Sequence, residues 1–183
     1  TEENYIKATG DFGTLYLGDV DGNGAASLMD GALGRNKDIE SQKGFGIADT
    51  VVSAGGADII YMTPKMGGFQ IGVATDLTDS DSVANDGASD AALTYSISGI
   101  NLYAGATSGL LVNKSNFGVS TSVAGFNIGV GARNVNDSQA KASDIGVNYT
   151  LANGIKLAAL SGKGTDAAGA QVTNSNVGLS YTI

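Results

Sequence analysis

Polar and apolar residues alternate one by one through short segments of this chain, and the segments come in pairs joined by a tight turn. Such a hairpin recurs about every 26 to 34 residues, with a longer polar stretch before the next copy, which is how a membrane β-barrel is written. Copies run from Ile59 to Val73, Ala92 to Ala104, Ser120 to Val130 and Val147 to Ala158, and Val177 to Ile183 begins another. Alternation and turn signals together predict eleven strands, at about 4–10, 14–20, 57–63, 69–77, 90–98, 100–108, 116–123, 126–133, 143–151, 155–162 and 174–183. Short turns between them fall at 11–13, 64–68, 99, 124–125 and 152–154. Long connections fall at 19–56, 78–89, 109–115, 134–142 and 163–173. Short turns on one rim and long loops on the other is the barrel arrangement that puts the loops outside the cell.

The two parities differ in chemistry. One holds Phe69, Ile71 and Val73, then Leu93, Tyr95 and Ile97, Phe126, Ile128 and Val130, Ile145, Val147 and Tyr149, and Val177, Leu179 and Tyr181, with no charge among them. The other holds Gln70, Asp76, Thr94, Ser96, Asn101, Asn127, Arg133, Asn148, Lys156 and Ser180. Lipid contact demands a charge-free parity, because a charge at mid-membrane costs about 2 to 4 kcal/mol. A soluble β-sandwich also separates its parities, and it keeps open a second reading: a soluble or cell-surface β-rich module that binds calcium or glycans, or an adhesin. The aromatic residues favour the barrel. Phe12, Tyr16, Tyr61, Phe69, Tyr95, Phe126, Tyr149 and Tyr181 lie close to short turns, where a bilayer interface would hold them and a sandwich core has no reason to.

Composition narrows the function. No stretch is long and apolar enough for a spanning helix, and Cys and His are absent, which removes disulfides, thiol nucleophiles and Ser-His-Asp catalysis. No enzyme is expected. The net charge of −8 argues against nucleic acid as a partner. A bacterial barrel closes with an even number of strands, so eleven strands predict that further strands belong to the full barrel.

The segment Gly10 to Gly22, in which a strand ends in Gly18-Asp19 before a long loop, and the restart from Ile59 to Val73 resemble the general porins of Gram-negative outer membranes, most closely the α-proteobacterial type. Asp19 stands where many of that family carry Arg. The resemblance implies an all-β fold over 1–183: a transmembrane antiparallel up-and-down β-barrel of the sixteen-stranded porin type, assembled as a homotrimer within outer-membrane lipid and lipopolysaccharide. On that pattern three strands precede Thr1 and two follow Ile183. The family's third external loop, here 19–56, folds inward and narrows the channel. Asp21, Asp30, Asp38, Glu40 and Asp49, with Arg35 and Lys37, would then line the constriction opposite the wall cations Lys7, Arg133 and Lys156. The implied activity is passive diffusion of small hydrophilic solutes and ions, and the excess of acids predicts a weak cation preference. No cofactor is required. The window from Asp19 to Asp30 also fits a twelve-residue calcium loop, with oxygen ligands at Asp19, Asp21, Asn23, Ser27 and Asp30, although a strand and not a helix precedes it.

Overall fold

A computed structural model describes residues 4–20, 24–29, 57–77, 87–109, 113–135 and 140–181. Within them the chain forms a single antiparallel meander in which every strand pairs with its neighbours in sequence. The strands are β1 (Asn4–Gly10), β2 (Gly13–Asp19), β3 (Ile59–Met62), β4 (Phe69–Thr75), β5 (Ser89–Ile97) and β6 (Ile100–Ser108). They continue as β7 (Lys114–Val123), β8 (Phe126–Val135), β9 (Lys141–Thr150), β10 (Ile155–Thr165) and β11 (Gln171–Tyr181). One short helix, α1 (Ala25–Met29), follows β2. Among the described residues no ladder joins β1 to β11, so the sheet has two edges.

All eleven strands expected from the alternation are present and in the expected order. Their ends differ, for local reasons. The expected long connection at 163–173 shrinks to a five-residue turn, because the Asp166 carboxylate accepts hydrogen bonds from the amides of Ala168 and Ala170, each at 2.9 Å. With the turn closed on itself, the ladder runs on through Gly162, Lys163 and Gly164, a stretch whose composition breaks the apolar alternation. In the same way β7 starts at Lys114 and β9 at Lys141, each ahead of its first apolar residue. β3 stops early, before Pro64, which has no amide to donate, and the Thr63 hydroxyl instead accepts from Ile71 N at 3.0 Å.

The short rim is built from tight turns. Ser98 and Gly99 (φ 49° and 79°) close β5–β6, and Ala124 and Gly125 (φ 51° and 82°) close β7–β8. Two successive positive φ values make the turn whose twist matches the strands it joins, and Asn-Gly suits it best. Ala124 holds a Cβ in a left-handed conformation that favours glycine or asparagine. Ala124→Asn is therefore expected to stabilise the folded protein by about 0.5–1 kcal/mol, read as a higher urea midpoint in lipid vesicles.

Exposure separates the two faces in the sense opposite to a water-soluble sheet. The apolar parity is bare: Ile6 is 71% exposed, Phe117 62%, Val177 88% and Leu179 68%. The polar parity is sheltered, with Asp90, Thr94, Asn116, Ser120, Asp144 and Asn148 all buried. A sandwich packs its apolar faces together, whereas here one sheet carries its apolar face outward. That overturns the soluble-module alternative. A continuous apolar surface of this extent is stable against hydrocarbon and not against water. At the short rim the outer face carries paired rings, Phe69 with Tyr95 (centroids 6.2 Å apart) and Phe126 with Tyr149 (4.6 Å). Tyr61 stands beside them and donates its hydroxyl to Phe12 O at 2.7 Å. Tyr16 does not belong to this girdle, contrary to expectation. It shares the parity of Ile60 and Ala74 and is buried on the inner face.

Candidate channel-lining face

The sheltered parity can be read as rows running across the ladders. The first row passes through Lys7, Tyr16, Ile60, Ala74, Asp90, Thr107 and Lys114, from β1 to β7. The second runs Met62, Gly72, Ala92, Gly105, Asn116, Arg133, Ala142, from β3 to β9. A third runs Gln70, Thr94, Tyr103, Gly118, Gly131, Asp144, Gly162, Asn174, from β4 to β11. Charged and polar groups thus alternate with glycines and alanines over one continuous wall.

Helix α1 lies on that wall. Ala25 is fully buried among Tyr16, Val20, Ala57, Ile60 and Ala74, and Met29 packs against Ala92 and Tyr103. Every strand residue in these contacts has inner parity. The small residues Gly72 and Ala92, neighbours in the second row, make the space: a Cβ at Gly72 would overlap Met29 Sδ and stand 2.9 Å from Ala25 Cβ, and Ala92 packs against Met29. A five-residue helix is too short to be stable by itself, so this packing is what holds it. Its backbone begins with Leu28 N donating to Gly24 O at 3.1 Å. The chain after β2 therefore turns back over the sheltered face, the direction expected for the inward loop.

Of the expected site residues, Lys7, Arg133 and Lys156 all have inner parity, on β1, β8 and β10. The Lys7 ammonium sits 5.1 Å from the centroid of the Tyr16 ring, which in turn lies 5.6 Å from Tyr5. Arg133 and Asp144 are diagonal neighbours in the β8–β9 ladder, placing opposite charges side by side on the wall. Asp21, Asn23, Asp30, Arg35, Lys37, Asp38, Glu40 and Asp49 lie outside the described residues. Of the calcium window, Asp19 is exposed at the end of β2, opposite Asn4, and Ser27 falls inside α1. The window is thus entered by a strand, and not by the helix that precedes a helix-loop-helix calcium site. Among the described residues no three acidic side chains come together closely enough to hold a metal ion.

Three wall charges escaped the sequence reading: Asp90, Lys114 and Asp144, all of inner parity. Asp90 and Asp144 sit at the ends of the expected strands 90–98 and 143–151 without being counted on their polar face, and Lys114 falls in the expected connection 109–115. Their parity relative to Ala92, Asn116 and Asn148 was the available signal. Tyr103 was also missed. It is 2% exposed, and its hydroxyl and Asn116 Oδ1 converge above Gly105, where a Cβ would stand 2.6 and 2.8 Å from them.

The described geometry agrees with what known proteins resemble this chain. The model of the Gram-negative porin family matches residues 1–183. Among solved structures, a loop L8 deletion mutant of OmpT, an outer membrane protein of Vibrio cholerae, aligns with a TM-score of 0.60 at 14% identity, over 97% of this chain and 67% of that one. At that identity the likeness establishes the fold alone. No curated protein matches the sequence significantly.

Proposed function

This chain belongs to the Gram-negative porin family and to the bacterial outer membrane, and from that premise we propose that it is a general diffusion channel, passing small hydrophilic solutes and ions down their gradients. The observation that carries the reading is the inverted sheet, bare and apolar outside, polar and charged within. A wall of alternating acids, bases and amides wets a lumen and offers no single tight site, as passive conduction requires. Helix α1 lies against this wall, and in this reading the segment that follows β2 sets the size limit. In this proposal the carboxylates of that segment, Asp21, Asp30, Asp38, Glu40 and Asp49, act with Arg35 and Lys37 against the wall cations Lys7, Lys114, Arg133 and Lys156. The channel reading assigns the protein no covalent chemistry, in keeping with a chain that has neither an imidazole nor a thiol to supply a nucleophile or general base.

The reading is tested with the full-length protein in a planar bilayer. Ohmic conductance steps are expected, closing in three equal decrements for a homotrimer. With 18 acidic against 10 basic residues, a salt gradient should give a reversal potential of the sign for cations, small in size and shrinking as ionic strength rises. Folded protein that inserts but gives no conductance would overturn the proposal.

A further inference from the structure

Toward the short turns the inner wall loses its charges. A fourth row runs from Ser96 on β5 through Asn101, Ser120, Gly129 and Gly146 to Leu160 on β10, and a fifth runs Ser122, Asn127, Asn148, Ala158 from β7 to β10. The next charge, Lys156, stands one row closer to the rim. Where the third and fourth rows meet, four glycines adjoin: Gly118 pairs with Gly131, Gly129 pairs with Gly146, and Gly129 and Gly131 are alternate residues of β8. The wall therefore lacks four side chains in one patch, leaving a hollow floored by backbone whose donors and acceptors are taken up in the ladders. Two side chains of β7 flank it on the same face, Asn116 and Ser120 on either side of Gly118. Asn116 is 5% exposed and Ser120 4%, and among the described residues neither the Asn116 amide nor the Ser120 hydroxyl has a hydrogen-bond partner. The Asn116 Oδ1 lies over Gly105, its bare neighbour on β6. Asn127 and Asn148, joined by a bond of 2.8 Å, close the short-turn side, and Arg133 and Asp144 the long-loop side.

A polar group buried without a partner costs the desolvation of its donors and acceptors, a cost that is offset when a ligand supplies the missing bonds. The border of the hollow says which ligand. Its floor is flat and offers no donor or acceptor, which suits the C–H face of a sugar ring. Its edge is amide and hydroxyl, and each sugar hydroxyl can donate to one and accept from another. Arg133 and Asp144 carry opposite charges as diagonal neighbours, so a net charge on the solute gains little there. We propose that this hollow is a weak subsite for neutral saccharides crossing the lumen, with Ser120 and Asn116 bonding their hydroxyls. The inference rests on the channel reading and deepens it, since a site left as readily as it is entered is compatible with passive flow.

The test uses the full-length protein in a planar bilayer, exposed to maltose and separately to a polyethylene glycol of similar mass, with the excess current noise read for each. Maltose should interrupt the current with resolvable dwell times, and the polymer should only lower the conductance. Ser120→Ala and Asn116→Leu should each shorten the maltose dwell time roughly fivefold, as expected for the loss of one hydrogen bond. Both variants should keep the parent's urea midpoint in lipid vesicles or exceed it, because each removes a buried polar group that the fold leaves unbonded. A purely structural role predicts the reverse, a lower midpoint with the dwell time intact. Thr9→Ala, on the inner parity of β1, should leave the dwell time unchanged. Maltose noise no greater than the polymer's, or dwell times unaltered in Ser120→Ala and Asn116→Leu, would overturn the subsite. Conductance without added solute is read in the same traces, so a failed subsite and a failed channel are told apart.

Discussion

A lysine in place of Val130 should cost about 2 to 4 kcal/mol of folding free energy in a bilayer. Val130 lies at the middle of β8, 41% exposed on the outer face, with Val119 and Ile145 beside it in register. In hydrocarbon the ammonium has no partner and no water, and at mid-strand its stem is too short to carry it to either interface. On a water-soluble sheet the same change would cost almost nothing, because an exposed Val→Lys substitution on an antiparallel strand is ordinary. The contrast makes the experiment decisive about the solvent of this face. Ser122→Lys is the paired control: Ser122 is exposed on the inner parity of the neighbouring strand β7, where its hydroxyl bonds the Asn127 side chain. Losing that bond in contact with water should cost less than about 1 kcal/mol. Urea titrations in lipid vesicles would compare the two. Equal, small costs for both would mean that the apolar parity does not meet lipid.

The strands were legible in the chain because period 2 is a property of the backbone, and a sheet with one lipid face and one wet face imposes it through the middle of most strands. The ends were less legible. A strand approaching the rim leaves the hydrocarbon, so its outward positions are free to become Lys141, Ser143 or Lys163, and alternation fades while the hydrogen-bond ladder continues. For the same reason Lys114 reads as a loop residue although it is a wall residue, and Asp90 and Asp144 stand at strand ends where their facing is hard to read. Tyr16 was misplaced because proximity to a turn was weighed above parity. Parity was the better guide, since one residue's offset moves a side chain through the sheet. Helix α1 was not legible at all. Ala25 to Met29 carries no helical period in five residues and no cap, and it overlaps a window whose Asp and Asn spacing imitates a calcium loop. What fixes it is a patch of small residues, Gly72 and Ala92, contributed by two strands that lie far along the chain. Local sequence cannot announce a helix whose stability lies in another segment's missing side chains.

That patch supplies the sharpest test of the inward segment. Gly72→Leu adds a side chain where even a Cβ would overlap the Met29 sulfur and the Ala25 methyl, so α1 must leave the wall. The ladder itself should survive. Gly72 is not among the glycines of positive φ, and its partners Met62 and Ala92 pair through the backbone. The direct cost is the packing of Ala25 and Met29 against the wall, about 1 to 3 kcal/mol for an overpacked contact. If the segment that starts at α1 narrows the lumen, freeing it widens the path, and two measurements should move together: single-channel conductance rises, and larger neutral solutes begin to enter proteoliposomes. Leu93→Ile, one strand over on the outer parity beside Ile71, removes no inner contact and should change neither. A Gly72→Leu protein that folds with the parent's strand content, yet conducts and sieves as the parent does, would place the size limit elsewhere than on the chain that follows β2. A rise in both would tie the channel's width to Gly72, whose contribution is the side chain it lacks.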